Sequence, residues 1–134
     1  MTLYLDTSAL LKRYIDEPDS DRFGDILDSD PTWLTCRITW VEVWRNLGRR
    51  VGSSAVADAR YAFRTDWDHL AIIEVDATLC RDAGDIGAVT GARSLDALHL
   101  AAVQRAGPQG ITLVTADLRQ AQAGRSLGLE VVGS

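Results

Sequence analysis

The chain is short of several things, and each shortage excludes something. No apolar run approaches the roughly 20 residues that a membrane-spanning helix needs, so no membrane span is expected. No basic stretch followed by an apolar one precedes the first strand-like segment, so no secretory leader is expected either. Cys36 and Cys80 are the only cysteines and form no CxxC pair. Two reduced, buried thiols in a cytoplasmic protein are therefore expected, not a disulfide framework. Lysine is nearly absent, Lys12 being the only one. "GDIGAVTG" is followed by no Gly-Lys-Ser/Thr and is not a phosphate loop. It reads as a small-residue packing face ending at Gly91. There is no internal repeat, low-complexity tract or linker, and the 134 residues suit one domain, 1–134.

What is present suffices for a core. Hydrophobic residues make up 46% and charged residues 25%, which is ordinary for a globular chain. The net charge of −5 argues against a general nucleic-acid binder, which is usually basic. Two features offset this. A few clustered carboxylates can carry the excess and be neutralised by a cation, and arginine, the prevailing basic residue here, is the better partner for phosphate.

Short apolar strands alternate with helices. Strands are expected at Thr2–Leu5, at "TWLTC" (32–36), "AIIEV" (71–75), "ITLVT" (111–115) and "EVV" near the end. Helices are expected from Ser8 to about Asp16, from Pro18 to about Leu27, and over 38–50 with Thr39 as a possible cap. Others are expected over 53–70 with a serine cap, after Asp76, after Ser94 as a cap, and from Ala116 to about Ser126. Gly107 and Pro108 close the helix that Ser94 opens. The alternation predicts an α/β sandwich around a mostly parallel sheet of about five strands. Ligands in such sheets gather beyond the carboxyl ends of the strands.

Acids sit where that rule directs attention. Asp6 follows the first strand in "LYLDTSALLKRY", and Asp117 follows "ITLVT" after one residue. Burying an unpaired charge is costly, so Asp6 needs a partner or a task. Glu42, in "ITWVEVW", and Asp96, in "SLDALHLAAV", lie on helices in unusually apolar company. Asp96 could simply support its helix N-terminus, and Glu42 could pair with Arg45 or Arg49 at helical spacing. His99, three residues after Asp96, reads as a packing histidine. Trp40 and Trp44, four apart, share a helix face and read as core, unless exposure marks a partner groove.

Taken together, these motifs resemble the PIN-domain ribonucleases, and most closely the VapC toxins of VapBC toxin–antitoxin pairs. The opening strand with D-[ST]-[SN], the glutamate in "TWVEVWRNL", the D-A-x-x-x-A start in "SLDALHLAA" and the [ST]-x-D of "LVTADLRQAQAGRSLGLEVV" occur in that order. The resemblance implies a three-layer α/β/α PIN-like fold and an endoribonuclease. It implies that Asp6, Glu42, Asp96 and Asp117 gather one or two Mg²⁺ or Mn²⁺ ions, with Thr115 and Thr7 in support. It also implies an RNA substrate, a homodimer and a VapB-type antitoxin. The chemistry agrees: crowded carboxylates repel and take up protons unless a hard cation intervenes. A retained water could then be the nucleophile, with no nucleophilic side chain needed. Arg45, Arg49 and Arg50 read as either a solvated helix face or a basic rim guiding RNA phosphates. Three other readings stay open: a DNA nuclease, a non-catalytic PIN-like binding module, and a phosphoacceptor receiver domain. The last needs a lysine after the final strand, and Lys12 stands in the wrong place.

Overall fold

The computed structural model describes residues 2–134. Among them, five strands and seven helices run in the order β1 (Thr2–Leu5), α1 (Thr7–Leu11), α2 (Ser20–Asp28), β2 (Trp33–Cys36), α3 (Ile38–Arg50), α4 (Val56–Trp67), β3 (Ala71–Ile73), α5 (Ala77–Thr90), α6 (Ser94–Ala106), β4 (Ile111–Val114), α7 (Leu118–Ser126) and β5 (Glu130–Val132). The strands form one sheet in the order β3-β2-β1-β4-β5. Every pairing is parallel, with Leu3 opposite Trp33 on one side of β1 and Thr112 on the other.

Strand alternation divides the core into two. Leu3 and Leu5 face α1 to α4, packing with Leu10, Phe23, Val43, Leu47 and Phe63. Tyr4 faces the opposite way, with Leu79, Ile86, Leu100 and Leu113 from α5, α6 and β4. Gly124 lets α7 approach that second face closely, since a Cβ there would lie 3.1 Å from both Leu113 and Val131. The result is a three-layer α/β/α architecture with a PIN-like, all-parallel sheet. No helix among the described residues is long and apolar enough to cross a membrane.

This order creates the feature that matters for function. From β1 the chain winds outward to β2 and β3, then returns to pair β4 on the other side of β1. The switch point therefore lies between the carboxyl ends of β1 and β4, where doubly wound sheets open a crevice.

Several boundaries differ from the expected ones. α1 ends at Leu11, because the next N–H groups tighten to i−3 bonds: Lys12 to Ala9, Arg13 to Leu10 and Tyr14 to Leu11. The Tyr14 hydroxyl and the Arg13 guanidinium are drawn instead to Asp66, at 2.6 and 2.9 Å. Residues before Pro18 also resist helix, and α2 starts at Ser20. α4 begins at Val56 after Ala55, with no serine cap. α7 begins at Leu118 because Asp117 is extended and caps it. Ser94 is the first residue of α6 and not its cap, a position held by Arg93 without a side-chain capping bond. Thr39 lies inside α3, where its hydroxyl meets that of Thr35 at 2.8 Å. Both cysteines are free as expected, but Cys80, on α5, is exposed and lines a cleft between α5 and α6.

Candidate active site

Asp6 closes β1 and caps α1 with an extended backbone. It is 4% exposed, so its carboxylate survives only if its lone pairs are met. Oδ1 accepts the Ala9 N–H at 3.0 Å and the Ser8 hydroxyl at 2.7 Å, and Oδ2 accepts the Thr115 hydroxyl at 2.5 Å. The same two hydroxyls also take backbone N–H groups from the turn after β4. Ser8 Oγ accepts the Ala116 N–H at 2.9 Å, and Thr115 Oγ1 accepts the Asp117 N–H at 3.1 Å. Burial raises the Asp6 carboxyl above its ordinary value, although His99, Thr115, Ser8 and Ala9 all pull it down.

A consequence can be measured. Thr115→Val keeps the shape but leaves Asp6 Oδ2 without its donor, an omission of about 1–3 kcal/mol for a buried group. One downward influence on the Asp6 carboxyl disappears, so its pKa rises further. The acid limb of the activity–pH profile is expected to move to higher pH, with a lower urea midpoint. An acid limb that stays in place would count against this role for Thr115.

Glu42, half-buried on α3, is held by a separate set. Its Oε1 accepts the Thr7 hydroxyl at 2.7 Å and meets His99 Nε2 at 2.9 Å. The other nitrogen of His99, Nδ1, lies 2.8 Å from the Tyr4 hydroxyl. Burial lifts the Tyr4 hydroxyl well above its ordinary value, so it keeps its proton and can donate to Nδ1. On the other side of the ring, Nε2 faces the Glu42 carboxylate as an N–H donor. Burial pushes the Glu42 carboxyl up, but the His99 and Thr7 bonds outweigh it and hold the group below its usual value. Thr7 thus serves Glu42, whereas the hydroxyl beside Asp6 comes from Ser8. The packing histidine is buried as expected, yet it also orients an acid. Tyr4 and His99 are 95 positions apart, a separation at which sequence patterns say nothing about contact.

Asp117 caps α7, its Oδ1 accepting the N–H groups of Arg119 at 2.8 Å and Gln120 at 3.4 Å. The Gln120 side-chain amide in turn donates to the Asp96 carbonyl at 3.0 Å, which fixes the start of α6 against α7. Arg93 spans the gap, with Nε 3.3 Å from Asp96 Oδ2 and a terminal nitrogen 3.7 Å from Asp117 Oδ2.

Asp6, Glu42, Asp96 and Asp117 all line one cleft of about 370 Å³, together with Ser8, Asn46 and His99. A larger groove of about 690 Å³ runs along Trp40, Tyr61 and Trp67. It lacks converging carboxylates, Asp68 being the one acid along it, so the smaller cleft is the candidate site. Trp40 and Trp44 stack at 5.2 Å and sit half-buried against the core that Leu3 and Leu5 form with α1 to α4, with Arg60 over Trp44 at 4.5 Å. Arg45, Arg49 and Arg50 do not line the acidic cleft, and Arg50 pairs with Glu17 at 2.9 Å. Lys12 pairs with Asp19 at 2.7 Å, away from the cleft, which removes the lysine a receiver domain requires.

The donor set suits a hard divalent cation, being carboxylate oxygen throughout. Glu42 Oε2 and Asp96 Oδ1 carry no hydrogen bond among the described residues, and Arg93 already stands as a cation between two of the acids. As placed, no three acid, histidine or cysteine side chains among the described residues stand close enough together to hold a metal ion.

A parallel sheet with acids collected at its switch point defines a class of α/β protein whose site lies at the strand ends. The PIN domain family model matches residues 3–126, and the chain belongs to that family. It is 35% identical over 130 residues to Ribonuclease VapC46 of Mycobacterium tuberculosis, covering 97% of this chain and 95% of the relative. The crystal structure of VapC20 from the same organism, described as a sarcin-ricin loop cleaving toxin, superposes with a TM-score of 0.75 at 22% identity, over 91% of this chain and 95% of that one. VapBC2 of Rickettsia felis, solved bound to a DNA fragment from its promoter, matches with a TM-score of 0.69 at 15% identity, over 98% of each chain.

Proposed function

We propose that the protein is the toxin of a toxin–antitoxin pair, an endoribonuclease that hydrolyses RNA phosphodiester bonds with Mg²⁺ or Mn²⁺. One observation carries this reading: four carboxylates, capping α1, on α3, at the start of α6 and capping α7, line a single cleft at the switch point. Full-length similarity to Ribonuclease VapC46 supports it. The residues that would hold the cation are Asp6, Glu42, Asp96 and Asp117. When bound, the cation would supply an activated water and neutralise charge on the phosphate.

The chain's own groups have definable tasks. Ser8, Thr115 and the Ala9 N–H lock the rotamer of Asp6. Thr7 and His99 occupy Glu42 Oε1 and leave Oε2 for the cleft. The capping bonds of Asp117 hold its Oδ1, so Oδ2 is the oxygen available. Arg45, Arg49 and Arg50 lie on the exposed end of α3 outside the cleft, so they would meet RNA phosphates as an outer rim and not at the acids. The reading takes 1–134 as one PIN domain in the cytoplasm, homodimeric and silenced by a VapB-type antitoxin.

A DNA nuclease is the second reading, because the same carboxylate chemistry cleaves both polymers. Matched RNA and DNA strands incubated with Mg²⁺ decide between them, with the RNA expected to be cut and the DNA left whole. End-mapping of cellular RNA after induction should then show discrete new 5′ ends. Cleavage of neither polymer would leave a non-catalytic module.

A further inference from the structure

Arg93 is the only arginine or lysine lining the acidic cleft among the described residues. It also lines two adjoining clefts, one of about 340 Å³ with Glu42, Ser94 and Leu95, and one of about 390 Å³ with Arg119. Its side chain therefore stands at the junction of the acids and the surface RNA would cross. That side chain is 69% exposed, while the carboxylates it reaches, Asp96 and Asp117, are 23% and 34% exposed.

Both contacts are loose, at 3.3 and 3.7 Å, and pairs this exposed are weak. The backbone is not loose: the Arg93 carbonyl accepts the Ala97 N–H at 2.8 Å and so is tied into α6. The side chain makes no capping bond. A swing of the guanidinium therefore costs two weak ion pairs and leaves the fold unchanged. A phosphate offers that guanidinium a bidentate, charge-assisted partner, better than either carboxylate at its present distance.

We infer that Arg93 is a displaceable counter-cation that couples RNA binding to cation loading. At rest it occupies Asp96 and Asp117. An RNA phosphate that draws it away frees both carboxylates for the divalent ion. Linkage makes the effect reciprocal, so the bound ion also favours RNA by the same factor. This rests on the proposed function, whose metal reading it deepens.

Calorimetric titration with Mn²⁺ tests it, using the parent, Arg93→Gln and Arg119→Gln, each first checked for an unchanged melting temperature. Arg93→Gln is expected to bind Mn²⁺ roughly threefold to tenfold tighter, the scale of two exposed ion pairs, and Arg119→Gln as the parent does. A short 2′-O-methyl RNA, confirmed intact afterwards, should tighten Mn²⁺ binding to the parent by a similar factor. It should do so much less for Arg93→Gln, and the difference between the two removes any ion the RNA itself attracts. Equal tightening by both substitutions would mean general charge removal and would overturn the inference. So would unchanged or weaker binding in Arg93→Gln, or the same RNA effect in both proteins. Absence of Mn²⁺ binding by every protein is a different failure: it removes the metal reading, and this inference with it.

Discussion

Asp6→Asn is expected to lower RNA cleavage by at least about 100-fold while leaving the fold as stable as the parent's, or more so, at neutral pH. The activity estimate follows from position: partners that merely orient a ligand cost roughly 10–100-fold when removed, and Asp6 would be a ligand itself. The stability estimate follows from burial. Asparagine still offers an oxygen to the Ala9 N–H and the Ser8 hydroxyl, so the cap on α1 survives. Its amide can donate to Thr115 Oγ1, and no charge is buried.

The pH dependence has a definite sign. Burial raises the folded-state pKa of Asp6 above its ordinary 3.8. A raised acid contributes stability that is complete below the unfolded pKa and is lost as pH rises through the folded one. Without a cation, the parent should therefore gain stability relative to Asp6→Asn as pH falls through that folded value towards the unfolded one. Urea midpoints across pH, in EDTA, check this, and parallel curves for the two proteins would contradict it. Cleavage by Asp6→Asn at the parent's rate would remove Asp6 from the site. Greater stability beside lost activity would mark Asp6 as a functional charge kept at a cost to the fold.

Much of this was legible in the sequence, because the signals are local. β1, α3 and α5 fall at the expected residues. Apolar periodicity fixes α3, and Asp76 caps α5 by accepting the Leu79 N–H at 2.8 Å. The acids at β1 and β4 stood out because each ends an apolar run, and topology then did the rest. What was not legible depends on distance in sequence or on direction at a helix start. In Asp6-Thr7-Ser8, the hydroxyl two positions on turns back to the cap while the nearer one points across to Glu42. Sequence reading chose the nearer one. Arg93 was passed over for Arg45, Arg49 and Arg50 because it stands alone, whereas theirs is a visible cluster. The cleft, however, is built by loops and helix starts, and α3 brings only its Glu42 and Asn46 stretch to it.

Divalent cation is expected to raise the parent's stability by about 2.7 kcal/mol at a concentration 100 times its dissociation constant, provided only the folded chain binds it. The reason is electrostatic. Several acids face one cleft with one loosely held arginine among them, and like charges at such separations repel by a few kcal/mol per close pair at moderate effective dielectric. A cation relieves that repulsion only in the folded state, where the acids are held together. Melting curves with Mg²⁺ or Mn²⁺ against EDTA should therefore separate for the parent. They should nearly coincide for a protein carrying both Asp6→Asn and Asp96→Asn, and EDTA should stop RNA cleavage by the parent altogether. Protons compete with the cation for the same oxygens, and Asp6, whose carboxyl burial has raised, is protonated earlier on acidification than an ordinary aspartate. The cation's stabilising effect should accordingly shrink as pH falls through the Asp6 value, at a higher pH than a set of solvent-exposed aspartates would give. An equal cation effect in parent and double variant would put the bound ion elsewhere, whereas no effect on either would leave the four acids to be neutralised by protons and Arg93 alone.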